Sequence, residues 1–146
     1  MLFAAARAQL VTTVIRPALD EGKVVLCDRY LDSSVAYQGI ARGLGEQDVM
    51  TLNEWATQGL LPDLVVLLHL DPEHGLSRTN GEPDRFERED LAFHARVADG
   101  YLRLADEHPQ RFAVIDASGT VEEVCAGVRL ALDRVLEPQT DRGGAT

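Results

Sequence analysis

The feature that most constrains the fold is an unbroken apolar run that ends in three polar or aromatic side chains. Val24–Cys27 is such a run, as expected of a parallel strand covered on both faces, and Asp28, Arg29 and Tyr30 follow it directly. In open α/β sheets, ligands bind beyond the carboxyl ends of the strands. There, Asp28 can orient a hydrated Mg²⁺ and Arg29 can hold a phosphate. A strand end that carries two mutually paired charges is the alternative, and these residues alone leave both open.

The residues that follow Tyr30 favour a nucleoside ligand. Ser34 and Gln38 are four positions apart, so a helix presents both on one face, with Tyr37 beside them. Two uncharged hydrogen-bonding groups and an aromatic ring suit a nucleoside better than a solvated surface. The stretch Asp-Arg-Tyr-x-x-Ser-Ser-x-Ala-Tyr-Gln-Gly (28–39) resembles the corresponding stretch of the bacterial thymidylate (dTMP) kinases.

A second pair of residues agrees with that resemblance. Apolar residues at a 3–4 spacing predict a helix over residues 2–20, which Pro17 should kink or end early. Phe3 and Arg7 lie on one face of it, where a ring can stack on a base and a guanidinium can donate to a carbonyl. For an isolated pair, a core Phe3 beside a solvated Arg7 is the more common arrangement. However, Leu-Phe-Ala-Ala-x-Arg-Ala-Gln (2–9) resembles the thymine-contacting helix of the same kinases.

The resemblance implies a role for each residue on the dTMP side of the site. It implies that Phe3 stacks on thymine and that Arg7 binds the exocyclic oxygen of the base. It gives Arg29 the dTMP phosphate, Tyr37 a position against the deoxyribose, and Gln38 an edge of the base. Ser34 is the remaining substrate-binding candidate, at a position where family members often carry a different polar residue.

The resemblance also implies an ATP side and a lid. Arg78 and Arg85 flank a Gly/Pro-containing loop that resembles the mobile lid of the family, where arginines stabilise the charge of the transferring phosphoryl group. By composition alone, a surface turn with ordinary salt bridges is favoured. The loop is also shorter and less basic than usual, so either arginine is a catalytic candidate beside Arg29. The loop of Asp116, Ala117 and Ser118 corresponds to the family loop that borders the adenine of ATP.

The order of elements predicts an α/β fold. Strands at 24–27, 64–70 and 111–115 alternate with helical patterns, which is typical of a parallel sheet. The resemblance extends from residue 2 to about 136 and implies the fold of a P-loop nucleoside monophosphate kinase. That reaction is ATP + dTMP → ADP + dTDP with Mg²⁺.

The phosphate loop of that fold is missing from the sequence. No Gly-x-x-x-x-Gly-Lys-Ser/Thr stretch occurs in it. We therefore expect an incomplete, carboxyl-terminal portion of a kinase: a partial domain at 1–136 without the first strand, the P-loop and the following unit, and a disordered tail at 137–146. Activity of this chain alone is in doubt. A non-catalytic nucleotide-binding module and another P-loop small-molecule kinase remain as alternatives.

Composition limits the partners. The net charge of −10 argues against a nucleic-acid backbone or an anionic membrane as a partner, because both require clustered Lys and Arg. No stretch is long and apolar enough to span a bilayer, so the cytoplasm is the expected compartment, and the resemblance implies a homodimer. Cys27 and Cys125 are expected in the core, as is Trp55 on a helix at 46–58.

Overall fold

Most of the described chain is helical. The computed structural model describes residues 1–71 and 91–136. Helix α1 (Leu2–Leu10) continues through a π-helical turn (Val11–Ile15) into α2 (Arg16–Asp20), and α3 (Leu31–Ser34) continues through a second π-helical turn (Val35–Ala41). The other elements are α4 (Glu46–Thr57), β1 (Val65–His69), α5 (Leu91–Glu107), β2 (Phe112–Asp116) and α6 (Val121–Leu136). No helix within these described ranges is long and apolar enough to cross a membrane.

The helix predicted at residues 2–20 is confirmed, but Pro17 does not end it early. Pro17 lies in the first turn of α2, directly after the first π-helical turn, and the helix continues to Asp20. In a regular helix, a proline lacks the N–H donor and its ring clashes with the carbonyl four residues earlier. A π-helical turn widens the backbone spacing just before that position, so the helix continues past the proline.

The parallel sheet is confirmed for two of the three predicted strands. β1 and β2 pair in parallel, with Val65 opposite Phe112 and His69 opposite Asp116. At the start of the pairing, the backbone N–H of Val65 donates to the Arg111 carbonyl at 2.7 Å. The sheet therefore brings the carboxyl ends of both strands to one edge, as in other α/β proteins.

The third predicted strand, Val24–Cys27, is wrong for the described chain. Residues 23–27 have no strand assignment, and Leu26 is 96% exposed. An apolar run becomes a strand only where a neighbouring backbone pairs with it, and within the described residues the sheet consists of β1 and β2 alone. Cys27 is consequently exposed, and so is Cys125 on α6, so the expected core positions of both cysteines are also wrong.

The core lies between the second π-helical turn, α5 and β2. Its buried members come from all three elements: Val35, Ala36, Ala41, Phe93, Val97, Leu104, Ala105 and Phe112. Gly100 lets α5 lie close to the second π-helical turn, because a Cβ at position 100 would be only 3.2 Å from Cδ1 of Ile40. This packing fixes the helical segment that follows Arg29 against the rest of the domain.

The buried face of α4 includes two polar residues and leaves out its largest apolar residue. Trp55, expected to be a packing anchor, is 80% exposed, whereas Asn53, Ala56 and Thr57 are buried. The buried polar residues have hydrogen-bond partners: the Thr57 hydroxyl donates to the Glu54 carbonyl at 3.2 Å, and Asn53 contacts Arg7. Hydrophobicity alone therefore misplaces Trp55, because a polar side chain can take a buried position when its hydrogen-bond partners are supplied.

Candidate nucleotide site

One cavity brings together all six residues predicted to bind substrate. It has a volume of about 250 Å³ and is lined by Phe3, Arg7, Arg29, Ser33, Ser34, Tyr37 and Gln38. They come from α1, from the segment after Cys27, and from α3 with its π-helical continuation. The site thus joins two stretches that are separate in the sequence.

Ser33 is the lining residue that the sequence reasoning missed. The prediction used the four-residue spacing of Ser34 and Gln38, yet Ser33 and Tyr37 have the same spacing and also share a helix face. The Ser33 hydroxyl accepts a hydrogen bond of 2.6 Å from the Tyr101 hydroxyl. Burial raises the pKa of Tyr101, so this phenol stays protonated and acts as the donor.

Arg7 is held by three neutral acceptors. Its Nη2 donates to the Tyr30 carbonyl at 3.0 Å and to Ser34 Oγ at 3.1 Å, and its Nη1 donates to Asn53 Oδ1. Its Cζ lies 5.6 Å from the centre of the Tyr30 ring. Burial lowers the pKa of the Arg7 guanidinium, but an arginine remains charged at any physiological pH. The result is a partly desolvated cation in a fixed position at the cavity wall.

Phe3 is not a core residue. Its ring is 56% exposed at the cavity, whereas the buried side of the same helical stretch consists of Ala4, Val11 and Ile15. An exposed aromatic face beside a guanidinium such as Arg7 is suited to stack on a planar ligand.

Arg29 has a strained backbone. Its φ of 60° is in the left-handed region, which is uncommon for a residue other than glycine and is often retained at functional sites. Its guanidinium Cζ lies 5.3 Å from the centre of the Tyr37 ring. The turn at Arg29 therefore directs the chain from the exposed segment 23–27 into α3 and brings a charged fork to the cavity.

Two long-range contacts anchor the start of α3. Arg111 Nη1 and Nη2 donate to the two Asp32 carboxylate oxygens at 2.8 and 2.9 Å, and both side chains are largely buried. The adjacent Ser33 is bound by Tyr101 of α5. Three successive residues, Asp32, Ser33 and Ser34, are thus bound to the residue before β2, to α5 and to α1 respectively, which leaves α3 little freedom.

Asp28 could contribute one oxygen ligand to a metal ion. It is exposed, and within residues 1–71 and 91–136 no group of three or more His, Cys, Asp or Glu could hold a metal ion. Mg²⁺ is usually bound through one or two carboxylates together with water and substrate phosphates. A single carboxylate at Asp28 fits that kind of site, with phosphate oxygens as the other ligands.

The predicted adenine loop lies at the carboxyl end of β2. The backbone N–H of Ser118 donates to Asp116 Oδ1 at 2.8 Å, and the N–H of Ala117 donates to the His69 carbonyl at 2.8 Å. The hydrogen bond from Ser118 lowers the pKa of Asp116. The Asp116 carboxylate therefore stabilises its own turn. The two lid arginines, Arg78 and Arg85, lie outside the described residues.

The described chain is an α/β protein with a parallel β-α-β arrangement, and one of its cavities is lined by two arginines, two aromatic rings and hydroxyl groups. The thymidylate kinase family model matches residues 1–128. A thymidylate kinase of Syntrophotalea carbinolica is 50% identical over 144 residues, covering 93% of this chain and 67% of the relative. The thymidylate kinase of Symbiobacterium thermophilum is 49% identical (100% of this chain, 68% of the relative), and that of Leifsonia xyli is 54% identical (91% and 64%).

The chain therefore belongs to the thymidylate kinase family, a family of enzymes with the P-loop nucleoside monophosphate kinase fold. It spans about two thirds of the length of the relatives that it matches. The predicted family is thus confirmed. The helices and the two-stranded parallel sheet are compatible with an incomplete form of that fold.

Proposed function

We propose that this chain binds dTMP and supplies the dTMP side of a kinase that transfers the γ-phosphate of ATP to dTMP, giving dTDP. The observation that carries the proposal is the single cavity that contains Phe3, Arg7, Arg29 and Tyr37. It combines a stacking surface for a base, a donor for a base carbonyl, and a guanidinium for a phosphate.

Each lining residue has a proposed role in holding dTMP. Phe3 stacks on the thymine ring, and Arg7 donates to the exocyclic oxygen of the base. Arg29 binds the phosphate, and the Tyr37 ring, 5.3 Å from the Arg29 guanidinium, packs against the deoxyribose. Gln38 contacts an edge of the base. Phosphoryl transfer depends mainly on such positioning and on charge stabilisation.

The ATP side of the proposal rests on fewer residues. Asp116, Ala117 and Ser118 border the adenine, Asp28 contributes to Mg²⁺ binding, and Arg85 or Arg78 stabilises the transferring phosphoryl group. Because the sequence contains no Gly-x-x-x-x-Gly-Lys-Ser/Thr stretch, binding of the ATP phosphates requires a loop that these 146 residues do not provide. A homodimer and a cytoplasmic location stay predictions from the resemblance and the composition.

The dTMP side can be tested with two neighbouring residues of α1. In calorimetric titrations of the 146-residue chain, we expect saturable binding of dTMP and much weaker binding of the purine dGMP. Phe3→Ala should weaken dTMP binding by on the order of tenfold or more, because base–aromatic stacking contributes about 1–3 kcal/mol per base. Leu2→Ala is the matched control, since Leu2 is also exposed on α1 but does not line the cavity, and it should leave the affinity unchanged. Equal affinities for dTMP and dGMP would contradict the thymine assignment.

A further inference from the structure

A buried polar residue on α4, outside the cavity lining, binds the Arg7 guanidinium. Asn53 is 2% exposed, and both ends of its amide are bound. Its Oδ1 accepts from Arg7 Nη1, and its Nδ2 donates to the Val49 carbonyl at 2.7 Å. Only one orientation of the amide satisfies both contacts, because the opposite one would bring its NH₂ against the guanidinium.

The donors of Arg7 can be accounted for one by one. A guanidinium has five N–H groups in a planar fork. Both N–H groups of Nη2 are used by Tyr30 and Ser34, and one N–H of Nη1 is used by Asn53. Within the part of the chain that the structure describes, the Nε N–H and the second Nη1 N–H have no acceptor. The fixed fork therefore leaves two donors, at set positions, for a ligand.

A fixed, partly desolvated guanidinium discriminates between bases because it can donate hydrogen bonds but cannot accept them. It has donors and no acceptor, and burial has removed part of its hydration. The exocyclic oxygen of thymine accepts a hydrogen bond, whereas the exocyclic amino group of cytosine donates one. An amino group facing Arg7 would leave a buried donor unsatisfied, which is the situation that gives polar sites their strong selectivity.

We propose that Asn53 is a positioning residue that sets base specificity, by fixing the Arg7 guanidinium so that it accepts a 4-oxo pyrimidine and rejects a 4-amino pyrimidine. The inference rests on the proposed dTMP site and extends it to a residue that does not touch the ligand. Without the Asn53 oxygen, Arg7 would be held through Nη2 alone and could rotate about those contacts, so that the unused donors would no longer be fixed.

The test compares three nucleotides on the 146-residue chain and its variants. Dissociation constants for dTMP, dUMP and dCMP are measured by calorimetry. Asn53→Leu should lower the dCMP-to-dTMP ratio of dissociation constants by on the order of tenfold, equivalent to about 1.4 kcal/mol of discrimination. The dUMP-to-dTMP ratio should stay within about twofold, because both bases carry the same exocyclic oxygen and differ only in the methyl group.

Two further variants separate positioning from stability. Asn53→Ala removes the same oxygen as Asn53→Leu without introducing a branched apolar side chain, and should lower the dCMP-to-dTMP ratio by a similar factor. Ala56→Gly is the matched control on the same buried face of α4. It costs about 1 kcal/mol of helix stability without touching Arg7, and both ratios should equal those of the unsubstituted chain.

The measured ratios distinguish a positioning role of Asn53 from a structural role. An unchanged dCMP-to-dTMP ratio in Asn53→Leu overturns the proposal, and an equal fall of both ratios assigns Asn53 a merely structural role. If Asn53→Leu does not fold, Asn53→Ala is judged by the same two ratios in its place. Failure of the unsubstituted chain to bind dTMP overturns the proposed function itself, and so differs from failure of the Asn53 variants alone.

Discussion

Replacing Arg29 by alanine is expected to weaken dTMP binding by on the order of 10²-fold. A hydrogen-bonded contact to a charged group contributes about 1.5–3 kcal/mol, and the Arg29 guanidinium is the proposed phosphate ligand at the cavity. Alanine is the appropriate replacement because it retains a Cβ at φ 60°. The backbone strain is then the same in both proteins, and only the guanidinium is lost.

Thymidine, which lacks the phosphate, provides the control within the same titration series. Its affinity should be the same for the unsubstituted chain and for Arg29→Ala, whereas Arg7→Ala should weaken the binding of both ligands. Arg29→Lys should give an intermediate dTMP affinity, since an ammonium keeps the charge but not the planar fork. An equal loss of thymidine and dTMP affinity in Arg29→Ala would show that Arg29 supports the cavity rather than the phosphate.

Replacing Asp32 by alanine is expected to destabilise the fold strongly. It leaves Arg111, whose side chain is 13% exposed, without its carboxylate, and removal of one partner of a buried ion pair costs about 3–5 kcal/mol. Folded domains have only about 5–15 kcal/mol of stability. Urea unfolding followed by circular dichroism should therefore show a much lower midpoint for Asp32→Ala.

A surface ion pair with the same nitrogen–oxygen distance is the matched control. Arg103 and Glu46 are also 2.8 Å apart but solvent-accessible, so Arg103→Ala should cost about 0–1 kcal/mol. The double variant Asp32→Leu/Arg111→Met should recover most of the stability lost in Asp32→Ala, because an apolar pair leaves no buried charge. Similar midpoints for Asp32→Ala and Arg103→Ala would mean that the buried pair does not anchor α3.

The grouping of the cavity residues could be predicted from the sequence because most of them are close together in the chain. Ser34, Tyr37 and Gln38 follow Arg29 within one continuous stretch, and helical spacing brings them to one side. The cap of α6 is similarly local: the Thr120 N–H donates to Glu123 Oε2 at 2.8 Å, and the Glu123 N–H donates to Thr120 Oγ1 at 3.3 Å. Such patterns depend only on residues within one or two turns.

The errors arose where long-range partners decide the structure. Val24–Cys27 has the composition of a strand, but composition cannot supply the neighbouring backbone that a strand needs. On α4, the burial of Asn53 depends on Arg7, 46 residues earlier. The same rotation of the helix that buries Asn53 leaves Trp55 exposed to solvent. The Asp32–Arg111 pair joins residues 79 positions apart, and no local pattern predicts it.

The central claim is that this chain carries the dTMP side of a thymidylate kinase, and phosphoryl transfer tests it most directly. The measurement uses a fusion protein in which the P-loop segment of a thymidylate kinase precedes Met1, with radiolabelled ATP, Mg²⁺ and each deoxynucleoside monophosphate in turn. We expect dTDP as the main product, and on the order of 10²-fold less of it in the same fusion carrying Arg29→Ala. A folded fusion that binds ATP but phosphorylates dTMP no better than dCMP or dGMP would contradict the account.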